Sequence, residues 1–228
     1  MRAAGGRGLR IPWIPVAIVA GVALAIGLVG YLIYQAGQPA GNKFAEAAAI
    51  EADPAPDLPG EYVNLPEIYA EDGQPAAYGD DENNTNAHVS REVDYSVQGL
   101  PPTGGDHWGQ GACGTVPAEA APFCGPVPAG VYREPWPAGA LIHNMEHAGV
   151  VIWYNTDDQT VIDDLEDLAA DNRDKNLVLA PYPEMEDDTV AVTAWARRLK
   201  VAASQYNRDD FDEFIDKLYC RFDPEGLC

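Results

Sequence analysis

The chain has 228 residues, of which 36 are acidic and 14 basic, for a net charge of −22. A surface this acidic repels nucleic acid and attracts cations, which excludes nucleic-acid binding. Outside any membrane anchor, the length leaves room for one domain of ordinary size.

Residues 1–10, "MRAAGGRGLR", carry Arg2, Arg7 and Arg10 and no acid. Residues 11–34 then run without one charged side chain. Roughly 20 apolar residues cross a bilayer as a helix, whereas the apolar part of a secretory signal is about 7–15 residues. The pattern predicts an uncleaved single-pass anchor. Arginines before the span and none just after it place the N-terminus in the cytoplasm and the remainder outside. The expected partners are the membrane and, through the anchor, an integral membrane protein complex.

Residues 35–86 are rich in Pro, Ala, Gly and acids, and "EADPAPDLPGEY" and "AEDGQPAAYGDDENNTN" show neither helical nor strand periodicity, so a self-repelling extended stalk is expected, with "FAEAAAIEA" continuing the anchor helix for two turns. The exported domain is expected over 87–228. "HVSREVDYSV" alternates and reads as a strand. "QGLPPTGGDHWGQGACG" and the Pro-rich stretch after it form a long irregular region, of a kind that is often functional. "AGVVIWYN" is a buried strand. Asn155 or Thr156 caps a helix whose stripe is Val161, Ile162, Leu165, Leu168 and Ala169. "NLVLAPYP" is a second strand and "TVAVTAWARRLKVA" a third. Asn207 caps a last helix, which turns Phe211, Phe214, Ile215 and Leu218 inward. The order gives an α+β domain, with helices packed on a small mixed sheet.

Cys113, Cys124, Cys220 and Cys228 all fall on the exported side, where oxidation is expected. Their spacing favours Cys113–Cys124 and Cys220–Cys228, although four cysteines allow three connectivities. No C-x-x-C occurs, which argues against a zinc knuckle or a thioredoxin-type pair. No G-x-S-x-G and no phosphate loop is present, so nucleophilic enzymes gain no support.

The chemistry concentrates in four histidines. His88 opens the first strand, His107 sits in the Gly-rich loop, and His143 and His147 flank Met145 in "IHNMEHA". Imidazole suits copper and zinc, and a thioether would favour copper, especially Cu(I). "HNMEH" also matches the H-x-x-E-H zinc-hydrolase motif, which needs a helix. Pro137 and Gly139 upstream and a strand downstream leave at most about two turns against a usual helix of about 11–12 residues, so an extended or curled segment is expected. On a strand, positions i and i+4 lie about 13 Å apart, so one ion shared by both histidines requires a bend at Asn144–Glu146. Glu146 then serves either as an acceptor that fixes an imidazole tautomer or as a salt-bridge partner. The competing reading makes the histidines hydrogen-bonded structural residues and Met145 core.

Taken together, "HVSREVDYSVQGLPPTGGDHW", "GVYREPWPAGALIHNMEHAGVVIWY" and "APYPEMEDDTVAVTAWARRL" resemble bacterial membrane-anchored proteins that carry the domain of unknown function numbered 3105. The resemblance runs from about His88 to Cys228. That family has a histidine before the first strand, a PPTSGPH-like loop and a HNLEHG-like segment, which correspond here to His88, to His107, and to His143, Glu146 and His147. Gly104 and Asp106 depart from that loop, Met145 stands in place of Leu, and the Cys113–Cys124 segment looks like an insertion. The resemblance implies architecture and candidate residues but no reaction. The expectation is a transition metal, copper before zinc, held by His107, His143 and His147, with His88 and Met145 as further ligands. A non-catalytic accessory subunit of a membrane assembly is the alternative, and a zinc hydrolase the third reading.

Overall fold

The computed structural model describes residues 41–71, 88–109, 111–114 and 122–228, together with Leu28. The expected basic tail and span over 1–34 lie outside the described residues apart from Leu28, and no described helix is long and apolar enough to cross a membrane. Gly41–Cys228 forms one compact α+β unit.

In chain order the unit contains α1 (Gly41–Glu51), β1 (Glu61–Tyr62), α2 (Leu65–Glu71), β2 (His88–Val89), β3 (His107–Trp108) and β4 (Gly130–Val131). It continues with α3 (Ala138–Glu146), β5 (Val150–Asn155), α4 (Gln159–Asp171), β6 (Leu177–Pro181), β7 (Thr189–Ala194), β8 (Arg197–Ala202) and α5 (Arg208–Leu218). Six strands form the main sheet in the order β1-β8-β7-β5-β6-β4. β4, β6 and β5 run parallel, and β7, β8 and β1 join antiparallel.

The central strands are apolar at nearly every position because both faces are covered. Val150 and Ile152 of β5 face one side with Leu177, Leu179, Val190 and Val192, against Leu165 and Leu168 of α4 and Phe211, Phe214 and Ile215 of α5. Each such side chain contributes about 1.5–3 kcal/mol when fully buried. Val151 and Trp153 face the other side, where α3, Trp108, Trp136 and Trp195 pack. That second face carries the histidines.

Four expectations are corrected. The stretch expected as stalk is, over Gly41–Glu71, part of the body: β1 pairs with β8, and Ala47, Glu51, Val63, Leu65 and Tyr69 are buried. Partners far along the chain hold it there, as when Trp195 Nε1 donates to Glu51 Oε1 at 2.9 Å. The long third strand is a hairpin, β7–β8, turning at Trp195–Ala196. Ala196 adopts φ 59, and its N–H donates to the Thr103 carbonyl at 2.9 Å, so the Gly-rich loop braces a turn that lacks glycine. The cap of α4 is Asp158, which accepts from Thr160 and Val161 N–H, rather than Asn155 or Thr156. The first expected strand keeps only His88–Val89, where pairing with β3 ends. Asn207 caps α5 as expected, and both favoured disulfides are formed.

Candidate metal centre

Three local features converge on one point. β2 and β3 pair in parallel with His88 opposite His107, so two histidines distant in sequence become direct neighbours. Gly105, at φ 106, turns the loop so that its own carbonyl accepts from His107 Nδ1 at 2.8 Å. The third feature is α3, and it corrects the expectation of an extended or curled segment. "AGALIHNME" is a nine-residue helix with Pro137 at its N-cap, where a missing N–H costs nothing. Gly139 does not break it. A Cβ there would lie 2.9 Å from Trp108 Nε1, so glycine is what lets the helix approach that ring. The helix ends at His147, with Ala148 left-handed at φ 62.

On this helix His143, Glu146 and His147 share one face at spacings of three and four. The rings of His88, His107 and His143 form a near-equilateral triangle, with centroids 4.9, 4.8 and 5.0 Å apart. Glu146 Oε2 lies between them, 2.8 Å from His107 Nε2, 3.0 Å from His88 Nε2 and 3.9 Å from His143 Nε2. Glu146 is therefore the hub of the group rather than an outer acceptor. Metal–nitrogen and metal–oxygen bonds of about 2.0–2.2 Å place neighbouring ligand atoms of one tetrahedral ion about 3.3–3.6 Å apart. The separations from Glu146 bracket that spacing, and one ligand atom from each of the four residues fits within 4.8 Å of all the others.

The surroundings fix how the rings present themselves. His143 Nδ1 lies 2.6 Å from the Trp108 carbonyl, and His107 Nδ1 is bound to the Gly105 carbonyl. A carbonyl only accepts, so both Nδ1 atoms carry the proton and both Nε2 atoms are turned to the centre. Trp108 is itself held by its indole N–H, which donates to the Arg91 carbonyl at 2.9 Å. Asn144 clamps the far side of α3, accepting from Val127 N–H at 2.9 Å and donating to the Val127 carbonyl at 2.6 Å.

Burial shapes the charges. It depresses the His143 pKa to about 3, aided by nearby His107, so this ring is neutral. Burial also opposes ionisation of Glu146. Hydrogen bonds from His107 and His88 outweigh that effect and hold the carboxyl well below its ordinary range. His88 is raised, chiefly by its hydrogen bond to Glu146. The side chains of His107, Glu146 and His143 are 0, 2 and 6% exposed, whereas His88 is 40% exposed, so the centre opens to solvent at His88.

The predicted residues separate as follows. His88, expected as an optional ligand, joins His107 and His143. His147 stands beside them, its Nε2 3.2 Å from His143 Nε2 and 3.1 Å from Glu225 Oε2. Met145 is not at the centre: it is fully buried, and its Sδ accepts from Thr193 Oγ1 on β7 at 3.3 Å. Its contact with β7 turns Met145 toward the sheet, away from the imidazoles. Glu225 was not singled out by the sequence. Its only signal is its place inside the loop closed by Cys220 and Cys228, which holds a second acid, Asp223.

A family model described as a protein of unknown function, DUF3105, matches residues 88–227, more than half of the chain. The chain belongs to that family. No curated protein and no solved structure shows significant similarity to it.

Proposed function

We propose that this DUF3105 protein is a metal-handling module, and that His88, His107, His143 and Glu146 bind one divalent transition-metal ion. The observation that carries the reading is the pair of Nδ1–H donors to backbone carbonyls. They orient His107 and His143 Nε2 toward a carboxylate, which also only accepts. With its Nδ1–H already given to a carbonyl, His107 meets that carboxylate either by donating from Nε2 as well or by sharing a cation with it, and a ring N–H held by a carbonyl is the usual outer support of a histidine ligand.

With Met145 turned to the sheet the donor set contains no sulfur, so the argument for Cu(I) falls away. Three imidazoles and a carboxylate suit zinc or Cu(II). The apolar run over 11–34 supports tethering to a membrane with the metal centre outside, where the ion would be stored, delivered or sensed beside a membrane complex. The test is zinc uptake by the purified full-length protein, measured by metal analysis and competition titration. At least one tightly held equivalent is expected, and His143→Ala and His88→Ala should each weaken it by 100-fold or more, on the order of 3 kcal/mol. Wild-type protein that takes up neither zinc nor copper would overturn the reading.

One observation favours a second reading. H-x-x-E-H is on a helix, as the hydrolase mechanism requires. In that mechanism the glutamate stays off the metal as general base, whereas Glu146 sits among the imidazoles. Chelator-sensitive peptide hydrolysis that is lost in Glu146→Gln while zinc remains bound would favour the hydrolase.

A further inference from the structure

His147 and Glu225 play no part in the first centre, yet they stand at its edge. Glu146, His147 and Glu225 form a second group whose ligand atoms all lie within 4.8 Å of one another, and Glu146 belongs to both groups. The two groups do not merge. Opposite ligands of a single ion with bonds of about 2.1 Å are only about 4.2 Å apart, so two positions sharing a carboxylate describe the arrangement better than one enlarged sphere.

The contacts of His147 point the same way. Its Nε2 faces both His143 Nε2 at 3.2 Å and Glu225 Oε2 at 3.1 Å. One ring nitrogen carries at most one hydrogen and cannot satisfy both neighbours well, whereas a cation beside it can bind the nitrogen and the carboxylate together.

Glu225 reaches this place because the C-terminal loop is fixed on both sides. Cys220 N–H donates to the Ala148 carbonyl at the end of α3, and Phe222 stacks on Trp195 at 4.5 Å. The Cys220–Cys228 bridge closes the loop, and Asp223 accepts from Leu227 and Cys228 N–H within it. The loop thus presents one carboxylate to one imidazole of a helix far away in sequence.

We propose that His147, Glu225 and Glu146 form a second metal position, with the Glu146 carboxylate bridging it to the first. Carboxylate-bridged pairs place their ions about 3.5–4 Å apart. The second position has three protein ligands and lies at the exposed rim, since His147 and Glu225 are 22 and 39% exposed. Three protein ligands leave at least one coordination place open, so this ion, not the buried one, would meet water or an anionic oxygen ligand. The inference rests on the reading of the first centre, and its test separates the two.

Zinc is titrated into the metal-free full-length protein, and bound metal is counted after gel filtration. Wild type should bind two equivalents, and Glu225→Gln one, with the affinity of the remaining ion within about threefold of the wild-type first step. Cys228→Ser, which opens the loop, should weaken only the second step. Asp187→Asn, in the exposed acidic patch of Asp157, Asp158, Asp187 and Asp188 and in neither ligand group, should leave two equivalents and guards against loose binding to the anionic surface. With Co(II) in place of zinc, magnetic coupling should appear in wild type and vanish in Glu225→Gln. One equivalent in wild type, or two retained in Glu225→Gln, would overturn the second position and spare the first. No zinc at all would remove both.

Discussion

Gly125→Ala tests the support of the centre without touching a ligand. A Cβ on Gly125 would run into the Trp108 carbonyl oxygen and would lie 2.8 Å from His143 Nδ1 and 3.1 Å from His143 Cβ. Comfortable contact needs about 3.5 Å, so the ring must withdraw by about 0.7 Å and the carbonyl by more. The His143 Nδ1–Trp108 bond of 2.6 Å is wedged between them. Lengthened by that amount it reaches about 3.3 Å, beyond the useful range for N–H···O. Loss of such an outer hydrogen bond costs about 10–100-fold in metal affinity. Overpacking should also cost the metal-free protein about 1–3 kcal/mol. Zinc affinity by competition titration and stability by denaturant unfolding of chelator-treated protein read the two effects separately. Gly114→Ala, where an added Cβ meets nothing within 4 Å, should change neither. A Gly125→Ala protein that binds zinc as wild type does would refute the claim that the Trp108 carbonyl orients His143 for a metal.

Two further outcomes follow from the same geometry. Met145→Leu should leave zinc affinity within about threefold and cost less than about 1.5 kcal/mol by unfolding, because Met145 fills core against Thr193 and volume is conserved. Metal removal should lower the melting temperature. At free zinc 1,000 times its Kd, binding contributes about 4 kcal/mol. For a body of this size that corresponds to about 8–16 °C between zinc-loaded and chelated samples by calorimetry. Coincident melts would contradict it.

The second half of the domain was largely legible in the sequence, because its helices are amphipathic and its caps are local. The stripe ending in Leu165, Leu168 and Ala169 and the inward face of α5 fall where periodicity puts them. α3 was not legible, for a physical reason: every residue of Ala138–Glu146 is buried, so no polar face marks the helical period. The β7–β8 turn was hidden because distant partners stabilise it instead of Gly or Asn, Ala196 N–H reaching Thr103 in the loop. The docking of Gly41–Glu71 onto the body escaped for the same reason, since Glu51 and Tyr62 are anchored against Trp195 and Arg197 more than 130 residues later.

At the site, composition and irregularity pointed to His107, His143 and His147, and the β2–β3 register that brings in His88 is a two-residue pairing with no sequence signature of its own. Glu146 was given only an acceptor's part, because an extended segment turns it away from both histidines. Glu225 needed the closed disulfide loop before it could be placed.

The most direct measurement is an anomalous difference map from crystals of the zinc-loaded protein, collected at the zinc absorption edge. The account predicts a peak within bonding distance, about 2.0–2.2 Å, of Nε2 of His88, His107 and His143 and of Glu146 Oε2, with Met145 Sδ remote. A map with no peak among those four atoms, with each ring closed onto an ordinary hydrogen-bond partner, would contradict it.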